Sequence, residues 1–416
     1  MKQIGYIELL RTNAPFRRLW AASVISMLGE WFNTIALFLI IYENTESEFL
    51  LGLLFTIRML CFAVFQPFGG LLSDRYNRKS IMVWTNWLQV ILALSFLLIR
   101  GAEDIVWIYV LTGSMMILHG MYVTAERAAL PNIVPEKDLA TANALDAASW
   151  STALCTGAML GGVVVELYGT NADFIIDAFT FALSAILLRK LSIPQTVEDD
   201  LKGPLLTTAF KNIRKGWARI YGEKRLLRIV FAKSSWNIAG GGLAGVFLLV
   251  AGSDIDGFGM ALGFGIFFFA RGIGTGIGPI VSRRFFLDEE RWPVLVGLLV
   301  SVSGLFYFLV GWTLGFNLYL TVVLVILAHS ASGANWVLST ILTQQWVEDE
   351  IRGRVFSMDM LMMSIAFSIS SAVAGYLLEN EFFNLQQGFI IFSVIMVASG
   401  LFFTLWRPDA IKGTPQ

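Results

Sequence analysis

"GGLLSDRYNRKS", Gly69 to Ser80, concentrates four charges in the six residues from Asp74 to Lys79 and stands between two long apolar runs. The run before it reaches back from Ser73 to Phe49, and the run after it continues from Ser80 to Ile99. Each is about the 20 residues that a helix needs to cross the hydrocarbon of a bilayer. A short, basic turn between two such runs reads as a cytoplasmic connection between membrane helices, because Lys and Arg accumulate on that side.

The same pattern extends through the chain. Of its 416 residues, 56% are hydrophobic and 15% charged, against roughly a quarter charged in a soluble domain. Spans are expected at Leu19 to Tyr42, Phe49 to Ser73, Ser80 to Ile99, Ile105 to Ala125, Leu139 to Leu167 and Ala172 to Leu191. Six more follow at Leu226 to Gly252, Gly257 to Ser282, Pro293 to Trp312, Leu318 to Trp346, Val355 to Leu378 and Leu385 to Trp406. The first is too long for a cleaved leader, carries Glu30 and leads straight into further spans, so it is expected to stay in the mature chain. The fold class is therefore an all-α integral membrane protein of two six-helix bundles.

Charge orients the spans. Arg11, Arg17, Arg18, Arg75, Arg78, Lys79, Arg283, Arg284, Arg291, Arg352, Arg354, Arg407 and Lys412 fall in alternate connections, as does the basic segment from Arg189 to Arg228. The opposite connections carry Glu43, Glu46, Glu48, Asp173, Asp254, Asp256, Glu379 and Glu381, with Arg100 the exception. Both termini are expected in the cytoplasm. Cys61 and Cys155 lie within spans and read as packing residues.

Residues 1–191 form the first bundle, 192–225 a cytoplasmic linker and 226–416 the second bundle with a short tail. In the linker Leu206, Phe210, Ile213, Trp217 and Ile220 share one helical face, with Lys211, Arg214, Lys215 and Arg219 elsewhere. That is the pattern of an amphipathic helix on the inner leaflet. A weak repeat relates the halves: "LPNIVPEKDLATANALD" follows span four and "TQQWVEDEIRGRVFSMD" follows span ten, with Asp146 and Asp359 equally far behind Val134 and Val347. Parallel repeats of this kind give two bundles related by pseudo-twofold symmetry.

Gly70, Asp74, Arg75, Arg78 and Lys79 fit the pattern G, three residues, D-R, two residues, R-K, and on this the chain resembles the major facilitator superfamily. "FRRLW" from Phe16, "ALPNIVPEKDLATANAL" from Ala129, "FIIDAFTFALSA" from Phe174 and "DEIRGRVFS" from Asp349 extend the resemblance to the bacterial multidrug, macrolide and enterobactin efflux branch. The second-half counterpart "GPIVSRRFFLDEE" has Ser282 in the aspartate's place. In "GAMLGG" Ala158 takes the place of a proline that antiporters of the superfamily often carry. The resemblance implies a cytoplasmic gate in which Asp74 accepts hydrogen bonds from the N-terminus of span eleven near Arg354, with Arg127 a cationic partner for Asp74. It also implies a monomer in the bacterial inner membrane.

Glu30 sits about midway along the first span, on one face with Ser23, Ser26, Asn33 and Thr34. A polar stripe on an apolar helix fits the wall of a water-filled cavity, and an ionised carboxylate at that depth is costly without a use. Two roles stay open: an ion pair with Arg58 or Lys233 that holds helices together, or a carboxylate that takes up and releases a proton as its hydration and neighbouring charge change. Asp146 is a second proton-coupling candidate, also compatible with capping. Arg58, Trp150, Lys233, Trp236 and Asn237 join Ser26, Asn33 and Thr34 as cavity candidates. Asp177, Arg271, His119 and His329 are further polar groups within spans.

The leading expectation is proton-coupled export of an amphipathic small molecule by alternating access, with protons and the bilayer as partners. An inward-running or uncoupled facilitator and a non-transporting receptor or scaffold are the alternatives. No nucleotide-binding glycine loop, paired-histidine metal motif or nucleophile and base arrangement is present in the sequence. No enzyme activity, metal, cofactor or nucleic-acid partner is expected.

Overall fold

In hydrocarbon every backbone N–H and C=O must find its partner within the protein, which a helix achieves locally. The computed structural model describes residues 4–194, 205–286 and 288–406, and the side chains of Asp74, Leu206, Arg283, Asp349 and Glu350, among others, lie outside the described set. Among the described residues the chain is a succession of helices. They are α1 (Tyr6–Thr12), α2 (Ala14–Thr45), α3 (Glu48–Arg75), α4 (Arg78–Ser95), α5 (Ile105–Ile133), α6 (Leu139–Arg189) and α7 (Leu205–Gly222). Then come α8 (Lys224–Gly240), α9 (Leu248–Ser253), α10 (Met260–Phe285), α11 (Trp292–Thr313), α12 (Leu318–Trp346), α13 (Asp349–Glu379) and α14 (Leu385–Leu405).

Eleven helical stretches among the described residues are long and apolar enough to cross a membrane. The longest contains two spans. Gly169 has φ 78° and ψ 170°, a conformation nearly restricted to glycine, and it breaks α6 where its first span ends. Twelve spans result, six before α7 and six after it.

The chain divides into two units. The first comprises the residues up to Asn44 and Cys61–Phe210; the second comprises Thr45–Leu60 and the chain from Lys211 onward. Helix α3 therefore contributes its beginning to the second unit and its remainder, including the basic turn, to the first.

In the first unit Leu19 and Ala22 of α2 pack with Met82 of α4, Tyr122 and Ala125 of α5, and Leu188 of α6. The basic turn is tied down by Arg78, which donates from Nη1 to the Ala128 carbonyl at 2.8 Å and to Asn132 Oδ1 at 2.7 Å, fixing the start of α4 to the end of α5. Asn77 caps α4 by accepting from the Ser80 N–H at 3.0 Å.

In the second unit α8 passes through a π-helical turn, Gly241–Phe247, whose seven residues are all buried. A large core of Leu243, Phe247, Phe267, Tyr307, Phe389 and Phe392 surrounds it. The end of α9 and the start of α10 touch at backbone distance: a methyl added to Gly263 would run into the carbonyl of Gly252. The beginning of α3 packs on α13 in this unit, with Phe49 N–H donating to Glu379 Oε2 at 2.9 Å and the Phe55 and Phe367 rings 5.9 Å apart.

Helix α7 has a protein partner for its apolar face. Ile213, Trp217 and Ile220 pack with Leu226, Val230, Val347, Val355 and Met358, so those residues are taken up by the second unit and not left for lipid. Gly216 admits the Arg354 carbonyl. Lys211, Arg214 and Lys215 remain exposed.

Candidate functional site

In the first unit the polar stripe of α2 is assembled as the helical period dictates. Ser23, Ser26, Asn33 and Thr34 are all buried. Two of the hydroxyls serve the helix itself: Thr34 Oγ1 donates to the Glu30 carbonyl at 2.7 Å and Ser26 Oγ to the Ser23 carbonyl at 3.0 Å. Asn33 Nδ2 is buried with no acceptor among the described residues.

Glu30 itself meets a histidine. Its Oε2 lies 3.3 Å from His119 Nδ1, with 17% of the glutamate side chain and 20% of the histidine side chain exposed. The pair is thus neither sealed from solvent nor fully exposed. The His119 ring lies 5.4 Å from that of Phe62, which walls one side. Next to Glu30, Gly29 leaves just enough room for Asp177 and Thr180 of α6, and Trp31 meets Trp150 edge to face at 6.2 Å.

Asp146 occupies a second polar cluster toward the other end of the first unit. Arg127 and Glu126 lie within electrostatic range of it, with Ser23 close to Glu126. Glu126 lies two helical turns beyond His119 on the same face of α5. Sequence reading missed it by ending span four at Ala125. Arg127, assigned by resemblance to Asp74, has Asp146 and Glu126 in its neighbourhood; the Asp74 side chain lies outside the described residues.

The other residues expected at a cytoplasmic gate sit around the basic turn and at α13. Arg75 closes α3, Arg78 anchors the turn as above, Lys79 lies in the first turn of α4, and Gly70 has open space where a side chain would stand. Arg354 lies in the second turn of α13 beside α7. The junction there is ionic: Arg219 Nε binds Glu348 Oε2 at 3.0 Å, and its Nη2 donates to the Trp346 carbonyl at 3.0 Å. The hydrogen bond from Arg219 holds the Glu348 carboxyl below its ordinary value.

In the second unit the candidates on α8 have partners that the sequence did not specify. Lys233 Nζ lies 2.8 Å from Asp359 Oδ2, with 6% and 4% of the two side chains exposed. The ammonium also sits 3.9 Å from the centroid of Trp336. Lys233, one of the two cations considered as a partner for Glu30, makes this ion pair within its own unit. Trp236 donates from Nε1 to Ser303 Oγ at 2.9 Å and faces His329 edge-on at 5.8 Å. Asn237 and Arg58 are buried. His329 Nε2 lies 2.6 Å from the Tyr307 hydroxyl.

Comparison with known proteins agrees with this architecture. The model of the Major Facilitator Superfamily matches residues 19–316 and 264–416. The chain is 25% identical over 346 residues to the bacilysin exporter BacE of Bacillus subtilis (strain 168), covering 82% of this chain and 81% of the relative. It is 24% identical over 389 residues to macrolide efflux protein A of Streptococcus pyogenes, covering 90% and 93% of the two chains. Among solved structures, a bacterial homolog of the human lysosomal transporter Spinster superposes with a TM-score of 0.73 at 16% identity, over 96% of this chain and 100% of that one.

Proposed function

Because this chain belongs to the Major Facilitator Superfamily, a multi-pass membrane transporter and not an enzyme, we propose that it exports an amphipathic small molecule in exchange for protons by alternating access. The observation that carries the reading is the Glu30 and His119 pair, two titratable groups 3.3 Å apart on facing helices within the first unit. With the carboxylate ionised and the imidazole neutral the pair has charge −1; one proton makes it neutral. A substrate that occupies the cavity when the pair is empty of that proton, and leaves when the proton returns, is exchanged against it. Similarity to an exporter and to an efflux protein supports the outward direction.

In this reading Ser26, Asn33, Thr34, Arg58, Trp150, Lys233, Trp236 and Asn237 line the substrate path, and Asp146 with Glu126 and Arg127 is a second proton station. Gly70, Asp74, Arg75, Arg78, Lys79, Arg127 and Arg354 form the cytoplasmic gate. The protein works as a monomer in the bacterial inner membrane with both termini inside. The test is proton-gradient-driven uptake of dyes and macrolides into inside-out vesicles. Uptake that follows an imposed pH gradient supports exchange, gradient-independent flux indicates a facilitator, and binding without flux indicates a receptor.

A further inference from the structure

Arg271 of α10 is a partly exposed cation for which the described residues supply no counter-ion. Its Nη1 donates to the Ala244 carbonyl at 2.7 Å, and its guanidinium carbon lies 4.4 Å from the centroid of Phe268. Its Nε is sealed from solvent with no acceptor among the described residues. No carboxylate among the described residues lies in ion-pair range of it. Asp359, a buried acid of the unit, is engaged by Lys233 at 2.8 Å. A side chain with five N–H donors that gives one of them to a neutral carbonyl is poorly compensated for loss of water, and a membrane interior makes that worse.

A purely structural role does not need the charge. Ala244 stands in the π-helical turn Gly241–Phe247, where the backbone departs from α-helical bonding and Gly242 N–H is served by Ser370 Oγ at 3.0 Å. The one hydrogen bond that Arg271 makes there goes to a neutral carbonyl, an acceptor that does not call for a charged donor. Turns of this kind recur at functional sites in helices. Around Arg271 the lining is aromatic and polar together: Phe268 stacks on it, and Tyr307 and His329, joined at 2.6 Å, lie within its electrostatic range. As a residue Arg271 keeps partial exposure, so a ligand can reach the outer part of the fork.

We propose that Arg271 is the anion-recognising group of a substrate subsite within the second unit, and that the compound it takes is an aromatic or amphipathic carboxylate. A planar carboxylate fits the guanidinium fork through paired hydrogen bonds, and an apolar body keeps such an acid compatible with a site inside a membrane span. This deepens the transport reading by naming the substrate class, and it rests on that reading for its place in a transport cycle.

The test is equilibrium binding in lipid nanodiscs, read by the fluorescence of dansylglycine and of its neutral amide, dansylglycinamide. Wild type should bind the acid about tenfold more tightly than the amide, the ratio expected for roughly one charge-assisted interaction. Arg271→Gln should bring the two affinities within about twofold with the amide unchanged, and Arg271→Lys should keep an intermediate preference. No binding of dansylglycine to wild type, equal binding of acid and amide, or a preference that survives in Arg271→Gln overturns the assignment. If Arg271→Gln fails to fold, the wild-type ratio and Arg271→Lys still decide. Flux plays no part in this readout, so a protein that keeps the preference yet shows no proton-driven transport contradicts the exchange reading and leaves this one standing.

Discussion

Glu30 of α2 and His119 of α5 stand 3.3 Å apart, each about four-fifths buried, with the Phe62 ring tilted beside the imidazole. A glutamate in an apolar span is thus matched to an imidazole on the neighbouring helix. A hydrogen bond to a charged group is worth about 1.5–3 kcal/mol. His119→Phe, which removes the partner and keeps a ring, should therefore lower gradient-driven flux about tenfold or more, while His119→Gln, which keeps a donor, should lose less. Equal flux in both variants would detach His119 from coupling.

The Lys233 and Asp359 pair is a buried ion pair between α8 and α13. Removing one partner strands the other charge, at about 3–5 kcal/mol, whereas replacing both with apolar residues is often neutral. Asp359→Asn should thus lower thermal stability in detergent sharply, and the double variant Lys233→Met with Asp359→Leu should recover most of it. A double variant as unstable as the single one would show that these groups bear on more than each other.

Helix α7 is held to the turn before α13 by Arg219 and Glu348. Since the folded carboxyl of Glu348 is held below its ordinary value by that hydrogen bond, its contribution is present above the ordinary glutamate pKa of about 4.3 and is lost as pH falls through the lower folded value. A nitroxide at Ala218→Cys, with Cys61 and Cys155 replaced, should keep one electron-spin-resonance mobility from pH 7 to about pH 5 and become mobile only at pH below the ordinary value. Glu348→Gln should be mobile throughout. Mobility that rises on alkalisation instead would contradict the contact.

Gly263 and Gly70 separate two uses of glycine. A methyl on Gly263 meets the Gly252 carbonyl, while Gly70 has open space. Gly263→Ala should destabilise by about 1–3 kcal/mol, as overpacking does, and Gly70→Ala should leave thermal stability unchanged. If Gly70→Ala nevertheless stops transport, the requirement for glycine in the basic turn belongs to another state of the cycle.

The spans and their division into six and six were legible because a bilayer imposes length and apolarity on every crossing helix. Even the break in α6 was visible as the interval between Leu167 and Ala172, which Gly169 fills. The helix ends were less so. Hydropathy stopped span four at Ala125, but α5 runs on to Ile133 through Pro131, and Glu126 and Arg127 lie in that overhang.

Partners across helices were not legible. Lys233 and Asp359 are 126 residues apart in sequence, and no local spacing rule links them. The polar face of α2 follows from helical spacing alone, but what stands opposite Glu30 depends on how α5 is rotated against it. The amphipathic pattern of α7 was visible too; that its apolar face finds Val347, Val355 and Met358 depends on the tertiary fold.

The most direct measurement is uptake driven by an imposed proton gradient in inside-out vesicles, wild type against Glu30→Gln at matched expression, with substrate counterflow measured in the same vesicles. The exchange account expects wild type to accumulate substrate with the gradient, and Glu30→Gln to lose that accumulation while keeping counterflow, because the cavity still alternates but no longer carries the proton. Gradient-driven accumulation by Glu30→Gln at the wild-type level would contradict it and move coupling away from the Glu30 and His119 pair.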